Sequence, residues 1–576
     1  MKNIILLFAF SWFTCSSYAQ LVTEYWDNAQ TKKKSEQSTK DGMQHGKFIA
    51  WYQNGNVAKE GNYKYGKEDG KFSTYYTNKQ PKTEENYSIG KKHGAWKYWY
   101  NNGNKAQETF FKNDIPDSVW TGWYESGKIK STEKYNAGRK EGMWTYYYEN
   151  GQKESEGTFK NNLAQGSYIQ WYNDGTMQKE GQYKDDFQIG SWKEYFKTGK
   201  TKQEIVYENN DVLLMKLWLE TGEQIIKNGN GKFTIVYDNG QKKGEGNYKD
   251  GRMNGEWMFY LSTGEKEFVV EYVKGKKNGK CINWFSNGTV KSEGPFVNNK
   301  KNGYWKFYNV EGKIQMEGTL IDNERSSKWL YWYANSAKET EGYYKNDLMD
   351  SLWTYFYNDG TKWKQGNYKE DKKTGTWTIW FENGQKLQEG KYMHGKEEGT
   401  WFSWYDNGEL KDEGNFKNGI MHGSWKGWLP NKNLNYEGFY KEGLKDGAWK
   451  FYFDNGKVKE EGPYKLARKE GHWIFWTPYG FKDREGDYKK EKPDGLWAYY
   501  YETGVKSMEQ TFENGQLSGE CKAWYENAKL KSTTAYKLVK NKNGTYSSKP
   551  HGKWTFYDKN GTTMMESDYK NGIKIN

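Results

Sequence analysis

GKFIAWYQNGNVAKEGNYKYGKEDG, residues 46–70, is the stretch that decides the fold. Two runs of strand-like composition flank Asn54-Gly55, and an Asn-Gly pair in that setting is the strongest short-range signal of a β-hairpin. The same stretch recurs along the chain. Counted by its turn glycine, it falls at 55, 79, 103, 127, 151, 175 and 199, then at 222 and 240, then every 24 residues to 528, and last at 561. Of 21 intervals between 22 turns, 18 equal 24 residues. A fixed period of this length marks a repeat architecture in which each repeat buries its apolar face against its neighbours.

Within the repeat, a two-residue type I′ turn at Asn54-Gly55 sets the register expected of its strands. Gln53 faces Asn56, Tyr52 faces Val57, Trp51 faces Ala58, Phe48 faces Gly61 and Gly46 faces Tyr63. Numbering positions from the turn glycine, −7 is aromatic in nearly every repeat (Phe48, Trp96, Trp144, Trp192, Trp257, Trp305, Trp353, Trp401) and faces a glycine at +6 in many. The aromatic at +8 faces glycine at −9, with Ser118, Ser327 and Ser351 as exceptions. Glycine weakens a strand unless a ring covers it, so both pairs predict rings lying over glycines. Side chains alternate across a strand, so −9, −7, −5, −3, +2, +4, +6 and +8 are expected to share one core face.

The other face carries Glu at +5 and a ladder of rings at −4. Its tryptophans are Trp51, Trp99, Trp123, Trp171, Trp284, Trp332, Trp380, Trp404, Trp428, Trp476 and Trp524. Bordered by Lys and Glu, this ladder is either the sheet's own cover or a strip for a ligand or partner. Exposure separates the two, because a second layer burying Trp51, Trp171, Trp284 and Trp404 would remove a glycan site. The connector Tyr-Lys-x-Gly-Lys-x-x-Gly (Tyr63 to Gly70) reads as a glycine-rich turn between hairpins. No helix signal follows it, so it is no phosphate loop.

Composition agrees with an aromatic-cored array. Charged residues make up 28% and mean hydropathy is −1.17, yet aromatics reach 18%. Rings of that number bury a large area in an otherwise polar chain. The net charge of +13 comes from 88 basic and 75 acidic residues spread along the repeats, with five arginines. Phosphate recognition favours clustered arginine, so nucleic acid is excluded as a partner class. Cys281 and Cys521 occupy −7 positions ten repeats apart, on the order of 100 Å in a straight array at ~4.8 Å per strand. Both are expected to be buried and unpaired. The six histidines sit beside connecting glycines in separate repeats, four of them (His45, His93, His422 and His551) in one slot, and suggest no metal centre. No catalytic constellation stands apart from the repeat, and no cofactor is called for.

At the N-terminus, Lys2, the apolar run Ile4 to Phe13 and Ser17-Tyr18-Ala19 before Gln20 have the layout of a cleaved leader over residues 1–19. Export to the periplasm, the outer-membrane surface or the medium is the expectation. No later segment has transmembrane length. The spacing divides the rest into a degenerate capping repeat (20–45), a first array (46–210), an irregular junction (211–231), a second array (232–536), and an inserted loop with a terminal repeat (537–576).

Gly-x-Trp-x-x-Tyr-Tyr-x-Asn-Gly followed by Glu-Gly-x-Tyr-Lys-x-Gly-Lys resembles the bacterial variant of the MORN repeat (membrane occupation and recognition nexus), over nearly everything after about residue 40. Some bacterial relatives are labelled antitoxin-like. The resemblance implies elongated antiparallel sheets serving as scaffolds, with lipid or protein partners. The fold expected is therefore all-β, an elongated array of about 22 antiparallel hairpins in a continuous twisted sheet. The function expected is a non-enzymatic scaffold for an envelope protein partner. Its alternatives are a glycan- or cell-wall-binding protein using the −4 ladder, and a membrane-surface protein using its lysines.

Overall fold

The computed structural model describes residues 19–575, so the leader expectation, apart from Ala19, and Cys15 within it lie outside the described residues. All regular structure in them is β, and no helix is long and apolar enough to cross a membrane. The strands are antiparallel and follow one another in chain order, in two sheets that do not close into a barrel. Two compact units result, residues up to 264 with 271–276, and 265–270 with 277–576. In the first, strands from Gln20–Tyr25 to Gln224–Ile226 form one sheet, and Gly231–Val236 opens the next.

The expected single sheet is thus two. The ladder stops where the period fails: Gln224–Ile226 has three residues, and Lys227 to Asn230 close a tight turn with Asn228 and Gly229 at positive φ. Further along, Lys537 to Pro550, expected as a loop, is a longer hairpin. Leu530–Lys540 pairs with Tyr546–Pro550 around Asn541 to Thr545, so the insertion extends the ladder instead of leaving it. Trp554 reaches back past it to donate to the Ala535 carbonyl at 3.0 Å.

The strand register is the expected one, reached by another route. Phe48 pairs with Gly61 and Gly46 with Tyr63, but Trp51 pairs with Val57. The loop has three residues: Gly55 N–H donates to Tyr52 O (2.9 Å) and Tyr52 N–H to Asn56 O (2.8 Å). Gly55 is left-handed while Asn54 is not, which is a type I turn closed by a glycine bulge. A second bulge at Ala58 then restores the register. One consequence is that +2 joins the −4 face, not the core. The type I′ turns lie in the connectors, where both central residues have positive φ: Tyr65-Gly66, Asn113-Asp114, Asn346-Asp347, Leu466-Ala467.

The two glycine rows have different causes. At +6, with Gly157 as the exception, an added Cβ would sit 2.0–2.4 Å from a ring, and that ring is the −7 side chain of the following repeat, as in Gly61 under Phe72 and Gly390 under Trp401. At −9, Gly70, Gly190, Gly399 and Gly447 would meet nothing within 4 Å, but their φ is positive. The serines that replace glycine at −9, Ser118, Ser327 and Ser351, are also left-handed (φ 59–62°). Space dictates the first row and backbone conformation the second.

Lying flat over the preceding glycine, the −7 indole donates to the next carbonyl of that strand. Trp192, Trp305, Trp401 and Trp497 do so at 3.0–3.2 Å. These rings alternate with the +8 rings in long edge-to-face runs. From Trp329 to Phe512 the centroids are 5.0–6.3 Å apart at 73–89°. Each such pair adds about 0.5–1.5 kcal/mol beyond burial. Trp257, Trp305 and Trp473 are 0% exposed. Cys281 and Cys521, in −7 positions, are buried and unpaired, and burial raises both thiol pKa values.

Candidate functional site

The −4 ladder is set by the same strand pairing from repeat to repeat. All eleven tryptophans are half-buried, with no second layer over them among the described residues. Trp51, Trp99, Trp123 and Trp171 belong to the first compact unit and the other seven to the second. Each ring is followed at −3 by a residue that is often tyrosine. Its hydroxyl donates to the −4 carbonyl of the next repeat, as from Tyr100 to Trp123 (2.9 Å), Tyr148 to Trp171 (2.9 Å) and Tyr405 to Trp428 (2.9 Å). Turn asparagines add a second tie: Asn383 donates to Asp406 O at 2.7 Å, and its own Oδ1 accepts from Gln385 N–H at 3.0 Å. The ladder backbone is therefore fixed repeat against repeat.

Its side chains fall into two groups, decided by the +2 residue of the preceding repeat. Where that residue is lysine, the ammonium lies over the ring: Lys33 over Trp51 (5.8 Å), Lys105 over Trp123 (5.3 Å), Lys153 over Trp171 (5.5 Å), Lys266 over Trp284 (5.7 Å), Lys362 over Trp380 (5.8 Å) and Lys386 over Trp404 (5.4 Å). Such contacts contribute about 0.5–1 kcal/mol at exposed sites. Lys506 holds the same place before Trp524 and pairs with Glu509 at 2.5 Å. Where +2 is apolar (Pro81, Ile314, Leu410, Val458), the following Trp99, Trp332, Trp428 and Trp476 carry no lysine over the ring among the described contacts. The buried indole N–H groups of Trp332 and Trp476 have no acceptor.

The +2 lysine also pairs with Glu at +5 on its own strand, as in Lys153–Glu156 (2.6 Å), Lys386–Glu389 (2.8 Å) and Lys338–Glu341 (3.0 Å). Where −4 is tyrosine instead of tryptophan, the phenol donates to that glutamate. Tyr75 donates to Glu60, Tyr260 to Glu245 and Tyr452 to Glu437, each at 2.7 Å. Tyr260 and Lys242 hold the Glu245 carboxyl below the ordinary glutamate range. The same hydrogen bond, with burial, pushes the Tyr260 phenol up to about 12. This face is thus a repeating Lys–Glu–aromatic strip. The ladder and its charged border are legible in the sequence; the +2 lysine's place over the ring is hidden by the bulge that turns it to this side.

Chemically, the strip offers flat rings, ammonium groups and carboxylates at a fixed spacing. Among the described residues, no group of three or more His, Cys, Asp or Glu side chains is placed to hold a metal ion. His472, one of the connector histidines, lies at 3.0 Å from Asp487 and 3.4 Å from Glu485, a surface contact.

No curated protein matches the chain. Among solved structures it is similar to the TcdB2-TccC3-Cdc42 complex (8% identity, TM-score 0.12, 96% of this chain and 35% of that one). It is also similar to the Photorhabdus luminescens Tc holotoxin pore (9% identity, TM-score 0.12, 96% and 34%). The chain spans about a third of the length of those chains, and a likeness at that score carries no argument about function. A family model described as the MORN repeat variant matches fourteen segments, running from 44–65 to 188–209, then at 229–250 and 277–298, then from 373–394 to 445–466, and at 550–571. Together they cover more than half of the sequence, and they coincide with the hairpins described above. The chain belongs to the MORN repeat variant family.

Proposed function

We propose that this protein is an exported, non-enzymatic scaffold that presents its Lys–Glu–aromatic strip to a protein partner in the cell envelope. The observation that carries this reading is the strip itself. The same charged and half-exposed aromatic groups recur repeat after repeat, on a backbone tied by the Tyr −3 and Asn −1 hydrogen bonds. A rigid, regular surface loses little conformational entropy when a partner binds. The leader-like residues 1–19 support export. The test is a pull-down from envelope extract with the mature chain, with and without added polysaccharide, beside N-terminal sequencing of the protein recovered from fractionated cells. Retention of one protein, unaffected by sugar, from a chain beginning at Gln20 is the expected result. No retained protein, or a full-length chain in the cytoplasm, would overturn it.

A second reading is favoured by one observation. The −4 tryptophans are not buried under another layer, so a glycan could stack on them. Displacement of the retained material by polysaccharide would select that reading over the first.

A further inference from the structure

The aromatic ladder of the first compact unit runs unbroken from Phe48 to Phe159 through alternating −7 and +8 rings. It resumes at Tyr168, which meets Tyr183 at 5.5 Å. Among the described residues no ring contact joins Phe159 to Tyr168. Two truncations coincide at this place. Tyr168 stands at −7, where neighbouring repeats have Trp144 and Trp192. Ala164 stands at −11, where other repeats send a lysine across the same rings: Lys92 over Trp96 at 4.3 Å, Lys140 over Trp144 at 4.3 Å and Lys373 over Trp377 at 4.6 Å. The Tyr168 ring has also drawn back from its glycine. A Cβ on Gly157 would lie 3.1 Å from it, against 2.0–2.4 Å under the tryptophans. A slot of about 370 Å³ opens here, walled by Trp144, Phe159, Ala164, Tyr168 and Tyr183.

The repeat shows what such a slot fits. In the neighbouring repeats the corresponding space holds an indole, and its N–H donates to the carbonyl of the residue ten positions earlier, as Trp144 does to Lys134 at 3.1 Å and Trp192 to Gln182 at 3.2 Å. The carbonyl in the corresponding place is that of Thr158, which also lines the slot, and Tyr168 has no indole N–H to offer it. Rings make up much of the wall, Glu156 and Asp186 also line it, and Tyr168 fills only part of the space an indole takes in the neighbouring repeats. Concave sites of mixed aromatic and polar lining take flat ligands that a few polar groups orient. We propose that the slot between Phe159 and Tyr168 is a binding site for a flat, indole-sized aromatic ring carrying an N–H donor. The ring is either a free small molecule or the side chain of a protein partner, and the Thr158 carbonyl accepts a hydrogen bond from its N–H.

Fluorine NMR titration of the full chain tests this with two probes, fluoroindole and a glycine-flanked peptide containing fluorotryptophan. Saturable binding is expected for at least one. Binding of the free ring alone assigns a small molecule, of the peptide alone a partner side chain, and of both the ring as such. Tyr168→Trp, which restores the repeat's own indole, and Ala164→Lys, which restores the arm over it, should each weaken binding at least tenfold. Both make the site more like its neighbours, so folding is retained, and unchanged hydrogen exchange elsewhere verifies it. Absence of saturable binding up to the probes' solubility, or equal binding by Tyr168→Trp, overturns the proposal.

Discussion

Replacing Gly390 by alanine puts a methyl group where the next repeat's indole lies. Its Cβ would stand 2.1 Å from Cδ2, 2.3 Å from Cε2 and 2.4 Å from Cγ of Trp401. The ring must shift, and the molecule shows how. Thr109 and Glu133 already stand at +6, beneath Trp120 and Trp144, and those indoles still donate to their carbonyls at 3.1 Å. What changes is the ring ladder, since Trp120 and Trp144 meet Tyr135 at 42° and 59° instead of edge-on. Alanine at 390 therefore keeps the hydrogen bond from Trp401 to Lys391. It loses the edge-to-face contacts with Tyr392 (5.1 Å) and Phe416 (5.8 Å) and overpacks the core. Overpacking costs about 1–3 kcal/mol and each ring contact about 0.5–1.5. The stiffer unfolded chain offsets about 0.4–1 kcal/mol, leaving a loss of about 3 kcal/mol. Gly399→Ala is the contrast. Its φ is +71° with nothing within 4 Å, so it meets left-handed strain of about 1–2 kcal/mol with the same offset, a net loss under about 1 kcal/mol. Unfolding of a repeat array is not two-state, so the assay is native-state hydrogen exchange by mass spectrometry over 386–404. A cost at Gly390 no larger than that at Gly399 would refute the distinction between a glycine required by space and one required by conformation.

Two further predictions concern the ties between repeats. Asn383→Ala removes the bonds to Asp406 O and from Gln385 N–H, and should weaken exchange protection in both turns by about 1–2 kcal/mol, with Asn383→Asp recovering the intra-turn half. Burial and the hydrogen bonds to Glu180, Glu293 and Glu485 push the phenols of Tyr195, Tyr308 and Tyr500 up to about 12. An unfolded phenol titrates near 10, so the unfolded chain releases its protons first. Stability should hold below about pH 10 and fall as pH rises towards about 12. Denaturation followed together with phenolate absorbance checks this, and ordinary titration near 10 in the native protein would contradict it.

The sequence carries the hairpin, its period, the pairing of −7 with +6 and the ring ladder at −4, because each rests on composition at fixed spacing. Turn type does not show. Asn54-Gly55 is compatible with both a type I′ turn and a type I turn with a bulge. The three-residue loop and the bulge at Ala58 shift the register by one residue each in opposite senses, so the pairing of Phe48 with Gly61 cannot reveal either. The true type I′ turns vary in residue (Asn-Asp, Leu-Ala, His-Gly) and so lack a constant signature. One signal separating the two glycine rows was present. Serine replaces glycine at −9 in three repeats, which a steric requirement under a ring would not favour. The slot at Tyr168 rests on two substitutions, −7 and −11, whose proximity is visible only once the strands are paired. Likewise, Val212 to Leu219 reads as irregular in sequence, but the end of the ladder at Ile226 follows from how short Gln224–Ile226 becomes.

Each repeat is locked by the next one, ring over glycine. Gly390 discriminates, because it pairs across the strand with Trp377 of its own repeat but is covered by Trp401 of the following one. Two double-mutant cycles, Gly390→Ala with Trp401→Val and Gly390→Ala with Trp377→Val, measure the two couplings by hydrogen exchange. A coupling of about 3 kcal/mol with Trp401 is expected, since a small side chain there makes room for the methyl group, and a value within about 0.5 kcal/mol of zero with Trp377. The larger coupling with Trp377 would contradict it.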